Sequence, residues 1–101
     1  MPDYIAVAKT SDIPVGRGKA FTIKGRRIAV FNDDGNFRAL NNTCAHAMGL
    51  LGRGRVKNGV VVCPVHGYAY DVKTGACHTD ARLRVESYEV MLEDDEIKIS
   101  C

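Results

Sequence analysis

The sequence predicts an all-β domain made of small antiparallel sheets, and two observations support this class. Short runs rich in β-branched and aromatic residues recur along the 101 residues, and glycine or Asx turn signals separate them. Strands of this length and spacing are typical of a small sandwich or barrel. Because about 100 residues is an ordinary domain size, we expect one domain over residues 1–101.

Six segments are predicted as strands: Tyr4 to Ala8, Ala20 to Lys24, Arg27 to Asn32, Val60 to Cys63, Ser87 to Leu92 and Glu96 to Ser100. Four intervening turns carry residues that accept a positive φ: Lys24-Gly25-Arg26, Asp33-Asp34-Gly35-Asn36, Lys57-Asn58-Gly59 and Lys73-Thr74-Gly75. Residues 11–14 contain helix-capping residue types, but no apolar helical period follows them. We therefore predict a turn there.

Composition and charge exclude several functional classes. The formal net charge of +2 is too small for the basic face of a nucleic-acid-binding domain, so nucleic acid is not an expected partner. No apolar stretch approaches the roughly 18 residues of a membrane span, and the first residues lack the pattern of an export signal. We therefore expect a cytoplasmic protein whose four cysteines are metal ligands or thiols rather than disulfides.

Two glycine-containing loops, residues 41–54 and 63–68, hold the residues that point to chemistry. The pattern is Cys44-x-His46, sixteen intervening residues, then Cys63-x-x-His66. Zinc modules usually pair Cys with Cys and His with His, whereas each pair here is mixed. Mixed pairs on two facing loops suit a binuclear cluster in which one iron takes two thiolates and the other two imidazoles. The spacing predicts one 2Fe-2S cluster, with a zinc-bound structural or interaction module as the alternative.

The four ligand positions resemble the signature of the Rieske family, C-x-H followed by C-x-x-H. Pro64 and Gly67 fit the second loop of that family, and residues 68–75 resemble the strand and turn that follow it in soluble Rieske ferredoxins and in nitrite reductase small subunits. The resemblance implies a Rieske iron-sulfur fold with three small antiparallel sheets. It also implies a cluster-binding subdomain of two loops, at about residues 41–72, with the ligands Cys44, His46, Cys63 and His66.

Three departures from the high-potential respiratory branch of the family distinguish this chain. Gly49 and Val65 occupy the positions of that branch's disulfide, and Tyr68 replaces a serine. These differences imply a disulfide-free cluster at the low end of the range of roughly -150 to +300 mV found for histidine-ligated centres. Tyr70 matches the tyrosine of the high-potential branch, so a phenol bond to a cysteine sulfur is left open. We also expect backbone N–H groups near Met48, Gly49 and Gly67 to donate to the sulfides and raise the potential.

The resemblance implies a one-electron carrier rather than an enzyme, since no catalytic dyad or phosphate-binding loop is visible in the sequence. Its implied partners are a flavin reductase and a terminal oxygenase of the aromatic-ring hydroxylating kind, met in transient complexes by a monomer. The alternative is the small subunit of an NAD(P)H-dependent nitrite reductase, bound to a large catalytic chain. In either case the role is electron relay.

Several residues near the two loops have a less specific interpretation. We expect Cys77 to be a buried structural thiol, Cys101 to be a free thiol and His78 to be an ordinary surface histidine. The apolar residues Met48, Leu50 and Leu51 suit the core, an apolar cover over the cluster or a tip that docks a partner. Five basic residues are hypothesised to steer an acidic redox partner: Arg53, Arg55, Lys57, Arg82 and Arg84.

Overall fold

The computed structural model describes residues 4–44, 49–65 and 67–100. These ranges contain nine strands: β1 (Tyr4–Lys9), β2 (Gly18–Ile23), β3 (Arg26–Asp33), β4 (Asn36–Asn41), β5 (Val56–Lys57), β6 (Val60–Val62), β7 (Ala69–Asp71), β8 (Ser87–Glu93) and β9 (Glu96–Ser100). The helical structure in the same ranges is limited to two 3-10 turns, Thr10–Asp12 and Leu51–Arg53. The predicted all-β class is confirmed.

The strands form two antiparallel sheets. The larger has the order β1-β9-β8-β4-β3-β2, and the smaller has the order β5-β6-β7. The larger sheet consists of two three-stranded halves, because β4 and β8 are joined only through the pairs Ala39 with Tyr88 and Leu40 with Ser87. The small antiparallel sheets that were predicted are therefore present, with two of the expected three joined at one narrow seam.

Alternation along β3 and β4 creates two hydrophobic cores. Successive side chains of a strand point to opposite faces, so Ile28 and Val30 face one core while Ala29 and Phe31 face the other. The first core, here termed the sheet core, is formed by Ile13, Ile23, Ile28, Val30, Phe37, Ala39, Ile97 and Ile99. The second core, termed the cysteine core, is formed by Ala29, Phe31, Leu40, Cys44, Leu51, Val56, Val61, Cys63, Tyr70, Val72, Cys77 and Val85.

Three hairpin turns have the backbone that their sequences predict. Both central residues have positive φ in the β2–β3 turn (Lys24 at 51° and Gly25 at 78°) and in the β3–β4 turn (Asp34 at 51° and Gly35 at 91°). The β5–β6 turn repeats this with Asn58 and Gly59. Positive φ at both positions defines a type I′ turn, whose twist matches that of paired strands. The loops at the ends of β4 and β6 are thereby held on a regular scaffold.

Candidate metal centre

Cys44 begins the first loop, three residues beyond the end of β4. Just before it, the buried side chain of Asn42 accepts the N–H of Gly52 through Oδ1 at 2.8 Å. The Asn42 backbone N–H donates to the carbonyl of Arg27, and its own carbonyl accepts the N–H of Leu51. The N–H of Cys44 donates to the carbonyl of Gly49 at 2.9 Å, which closes the loop. The side chain of Cys44 is consequently buried, with 4% exposure.

Cys63 begins the second loop, immediately after β6. Its N–H donates to the carbonyl of Tyr68 at 2.7 Å, and its carbonyl accepts the N–H of Gly67 at 2.9 Å. Gly67 has a φ of 75°, a left-handed conformation that glycine adopts without steric cost. The loop is therefore a tight turn that leaves Cys63 only 1% exposed. Because the Gly67 N–H is used inside this turn, the expected donation from Gly67 to a sulfide is not supported.

The two loops meet at Gly49. A Cβ placed on Gly49 would lie 2.6 Å from Cys63 Sγ and 2.7 Å from a methyl carbon of Val65. The same ideal Cβ lies 3.2 Å from the Cβ of Val65, slightly closer than the roughly 3.5–4.5 Å between the Cβ atoms of a disulfide. Gly49 and Val65 thus face each other across the loops, as their match to the disulfide positions of the respiratory branch implies, without a sulfur bond between them.

Tyr70 connects the small sheet to the first loop. Its hydroxyl oxygen lies 3.0 Å from Cys44 Sγ, and its side chain is fully buried. Tyr70 is held in β7 by pairing with Val61 on one side and by a bridge to Cys77 on the other. When Cys44 is a thiolate, the hydroxyl is the donor, because the deprotonated sulfur has no proton to give. The phenol bond that the sequence left open is therefore present.

The structure brings together two of the four predicted ligands. Cys44 and Cys63 belong to one hydrophobic cluster, and neither is part of a disulfide. His46 and His66 lie outside the described residues, as do Met48 and Cys101. Two buried thiols on facing loops, one of them beside a phenol donor, fit the thiolate half of a mixed-ligand cluster. The histidine half stays a prediction.

Cys77 forms a bridge to Tyr70, and His78 follows it in the chain. Cys77 is buried, as predicted, and its sulfur accepts the N–H of Asp80 at 3.4 Å. His78 is half exposed, with Nε2 3.6 Å from a carboxylate oxygen of Asp71. Burial alone would raise the pKa of Asp71, but the N–H groups of Lys73 and Thr74 and the charge of His78 outweigh it. The pKa of Asp71 therefore lies below its usual value.

The residues proposed to steer a partner differ in how much of their charge is available. Arg82 forms a two-point ion pair with Asp80, through contacts of 3.0 and 2.9 Å. Arg84 donates to the carbonyl of Thr74 at 3.1 Å.

The side chain of Leu51 is fully buried in the cysteine core. Of the apolar residues proposed as a cover, Leu51 is thus a core residue, and Leu50 is partly exposed.

A pair of buried cysteines on facing loops at one end of an all-β scaffold defines a small metal-centre protein. The family described as "Rieske [2Fe-2S] domain" matches residues 3–89, and the chain belongs to that family. Its cofactor is accordingly one 2Fe-2S cluster. No helix in the described part of the chain is long and apolar enough to cross a membrane.

Two curated relatives span nearly the whole chain. The ferredoxin component of the naphthalene 1,2-dioxygenase/salicylate 5-hydroxylase systems of a Ralstonia species is 28% identical over 98 residues, covering 96% of this chain and 94% of the relative. The cytochrome b6-f complex iron-sulfur subunit of Chlorobaculum tepidum is 29% identical over 96 residues, covering 95% of this chain. The chain spans only about half, 52%, of that second protein.

Two solved structures share the fold over the same extent. The ferredoxin of carbazole 1,9a-dioxygenase from Nocardioides aromaticivorans superimposes with a TM-score of 0.89 at 29% identity, covering 96% of both chains. A Mycobacterium tuberculosis protein named as a candidate small subunit of an NADH-dependent nitrite reductase gives a TM-score of 0.92 at 22% identity. That match covers 100% of this chain and 96% of the other. The second match is a likeness of fold alone.

Proposed function

We propose that this chain is a Rieske ferredoxin that carries single electrons from a flavin reductase to a terminal oxygenase of the aromatic-ring hydroxylating kind. The observation that carries the proposal is the buried pair Cys44 and Cys63, with the Tyr70 hydroxyl 3.0 Å from the Cys44 sulfur. The ferredoxin components of two dioxygenase systems, which match this chain nearly end to end, support the same role. When bound, the cluster supplies a one-electron redox couple.

In this proposal Cys44 and Cys63 hold one iron, and His46 and His66 hold the other. The chain contributes burial of both thiolates, which keeps water from the sulfurs, and a hydrogen bond from Tyr70 to one of them. A hydrogen bond to a ligand sulfur stabilises negative charge and so favours the reduced state. Tyr68 in place of a serine, and the lack of a sulfur bond between Gly49 and Val65, place the expected potential at the low end of the Rieske range.

The remaining features of the proposal concern organisation and surroundings. Residues 1–101 form one domain, with the cluster-binding subdomain at about 41–72. The protein is a soluble, cytoplasmic monomer that turns over no substrate by itself and meets its partners in transient complexes. The ferredoxin name of the dioxygenase relatives supports a relay role, since a ferredoxin component passes electrons within a larger system.

Metal analysis and spectroscopy of anaerobically purified protein test the cluster. We expect red-brown protein with two irons and two acid-labile sulfides per chain. On reduction it should give a rhombic electron paramagnetic resonance spectrum with an average g value below that of the free electron. His46→Cys and His66→Cys variants should lower the potential or lose the cluster, because a thiolate adds negative charge. Colourless protein that holds one zinc ion would establish the zinc-bound module instead.

A nitrite reductase small subunit is the second candidate, because residues 68–75 resemble the strand and turn that follow the second loop in such subunits. Reconstitution separates the two functions. A ferredoxin should restore turnover of a terminal oxygenase supplied with a flavin reductase and remain separable from both on a sizing column. A reductase subunit should instead co-purify with a large catalytic chain and fail in the oxygenase assay.

A further inference from the structure

A groove of about 250 Å³ lies beside the first cluster loop, between the start of β2, the start of β3 and the 3-10 turn Leu51–Arg53. Its floor is made of small residues, Gly18, Ala20 and Gly52. A Cβ on Gly52 would lie 2.8 Å from Asn42 Oδ1, so glycine is what allows the 3-10 turn to pack this closely on the strands. A shallow floor without bulky side chains leaves room for a ligand group between the groove walls.

Two arginines give the groove its charge. Arg27 and Arg53 both line the groove, and both residues are exposed. Within the described ranges neither arginine takes part in an ion pair, whereas the neighbouring Arg26 is paired with Glu86. None of the residues described as lining the groove is acidic. The two guanidinium groups are therefore uncompensated positive charges facing a common space.

Lys19 also borders the groove, but its charge lies elsewhere. Its Nζ is 5.8 Å from the centroid of the Phe21 ring. Phe21 packs against the sheet core, and residues 19 and 21 share the face of β2 opposite to Ala20. Since Ala20 is on the groove floor, the ammonium of Lys19 is turned away from the groove. Lys19 is therefore not one of the charge contacts inside the groove.

The groove is continuous with the loop that carries Cys44. Leu50 lines the groove, and the adjacent Gly49 is the residue that meets Cys63 and Val65. Val65 is 53% exposed, so its methyl groups are accessible to a partner surface. A surface that covers Val65 and Leu50 would thus extend onto Arg27 and Arg53. A protein seated there would contact Leu50, which belongs to the same loop as the predicted ligand Cys44.

We propose that this groove receives carboxylate side chains of the redox partner, with Arg27 and Arg53 as their charge contacts and Val65 and Leu50 as the adjoining apolar contact. This inference rests on the proposed carrier function and names the chemistry of its partner. A guanidinium group binds a carboxylate through two parallel hydrogen bonds, and opposite charge speeds the encounter of transient partners. Of the residues first proposed to steer a partner it keeps Arg53, adds Arg27 and leaves out Arg82, which is paired with Asp80.

The test uses the cluster-loaded protein and a hexaglutamate peptide as the probe. In buffer of about 20 mM ionic strength, where screening is weak, the peptide should shift the Nε–H nuclear magnetic resonance signals of Arg27 and Arg53. The double variant R27E/R53E should bind about tenfold more weakly, and R27Q/R53Q should fall between it and the parent. A hexalysine peptide should produce no shift at these signals.

The matched control is K9E/K73E, which makes the same change in net charge at two exposed lysines that do not line the groove. It should retain most of the affinity, and circular dichroism should confirm that all variants are folded. Equal loss in both double variants, or no shift at Arg27 and Arg53, would overturn the groove as the docking site. If either result came with normal iron content and a normal midpoint potential, the docking proposal would be wrong and the carrier function would still be supported. Protein without a cluster would remove both proposals together.

Discussion

The sheet core and the cysteine core share β3 and β4, but they differ in chemistry. The sheet core is formed by aliphatic side chains and Phe37 alone. The cysteine core is made from alternate residues of the same strands and adds three thiols and the phenol of Tyr70. One face of the strand pair thus holds the fold together, while the other faces the two cysteines that we propose as iron ligands. The comparison teaches that stability and redox chemistry should be separable by substitution.

The small size of the chain bears on how a bound metal would contribute to its stability. A chain of 101 residues buries a modest share of its surface, so a metal that joins two loops contributes to stability. In this chain those loops extend from β4 and β6, which belong to different sheets. Loss of the metal should therefore loosen the contact between the sheets before it affects the hairpins of the sheet core.

The largest effect is expected for Cys63→Ser. A hydroxyl is a poor substitute for a soft thiolate at iron, so the variant should lose the 2Fe-2S cluster and its visible absorption. Cys77→Ser is the matched control. This thiol is buried in the same core, and its sulfur accepts a hydrogen bond from the N–H of Asp80. Iron and sulfide analysis should find a full complement in the control. A colourless C77S protein would assign Cys77 to the site.

The next effect concerns the sheet core. Ile97 is fully buried there, so Ile97→Ala should lower the free energy of unfolding by about 2–5 kcal/mol through lost burial and a cavity. The midpoint potential of the loaded protein should not change, because Ile97 belongs to the other core. Denaturant unfolding and redox titration of one preparation measure both quantities. A shifted potential would show that the cores are coupled.

Gly75, which lies against the cysteine core, and Gly25, in the β2–β3 turn, should differ in how much an alanine substitution lowers the stability. Gly75 and Gly25 both have φ near +80°, at 82° and 78°. A Cβ on Gly75 would collide with the carbonyl oxygen of Val85, whereas nothing lies within 4 Å of one on Gly25. Gly25→Ala should therefore cost about 1 kcal/mol from conformation alone, and Gly75→Ala should cost roughly 2–3 kcal/mol. Equal changes in melting temperature would contradict the steric difference.

The sequence is sufficient to predict most of the sheet scaffold but not the contacts that complete the site. The six predicted strands are all present, because β-branched runs bounded by turn residues mark them. The strands β4 and β5 were missed, and β7 was expected only from the family resemblance. The segment 36–41 has no β-branched residue and is a strand because β3 and β8 pair with it on both sides. Among the site residues, Cys44 and Cys63 follow from spacing.

The tertiary contacts have no local signal. The Tyr70 hydroxyl reaches Cys44 across 26 positions of sequence, and Gly49 touches Cys63 because two loops from different sheets converge. The groove arginines are a similar case, since Arg27 lies at the start of β3 and Arg53 in the 3-10 turn Leu51–Arg53. Hydrogen bonds of Asn42 join these two elements. Periodicity and propensity describe neighbours along the chain, so such pairs need the folded structure.

The smallest expected effect belongs to the bond that joins the small sheet to the first loop. Tyr70→Phe removes the hydroxyl 3.0 Å from Cys44 Sγ and keeps the buried ring. Reduction adds negative charge that spreads to the ligand sulfurs, so this bond is stronger in the reduced state. About 1 kcal/mol of that difference corresponds to roughly 40 mV for one electron, and the midpoint potential should fall by that order. Tyr88→Phe is the control, because its hydroxyl bonds Glu86 at 3.3 Å and its ring packs on the sheet core. Equal potentials in Y70F and the parent protein would mean that the hydroxyl positions Cys44 without tuning it.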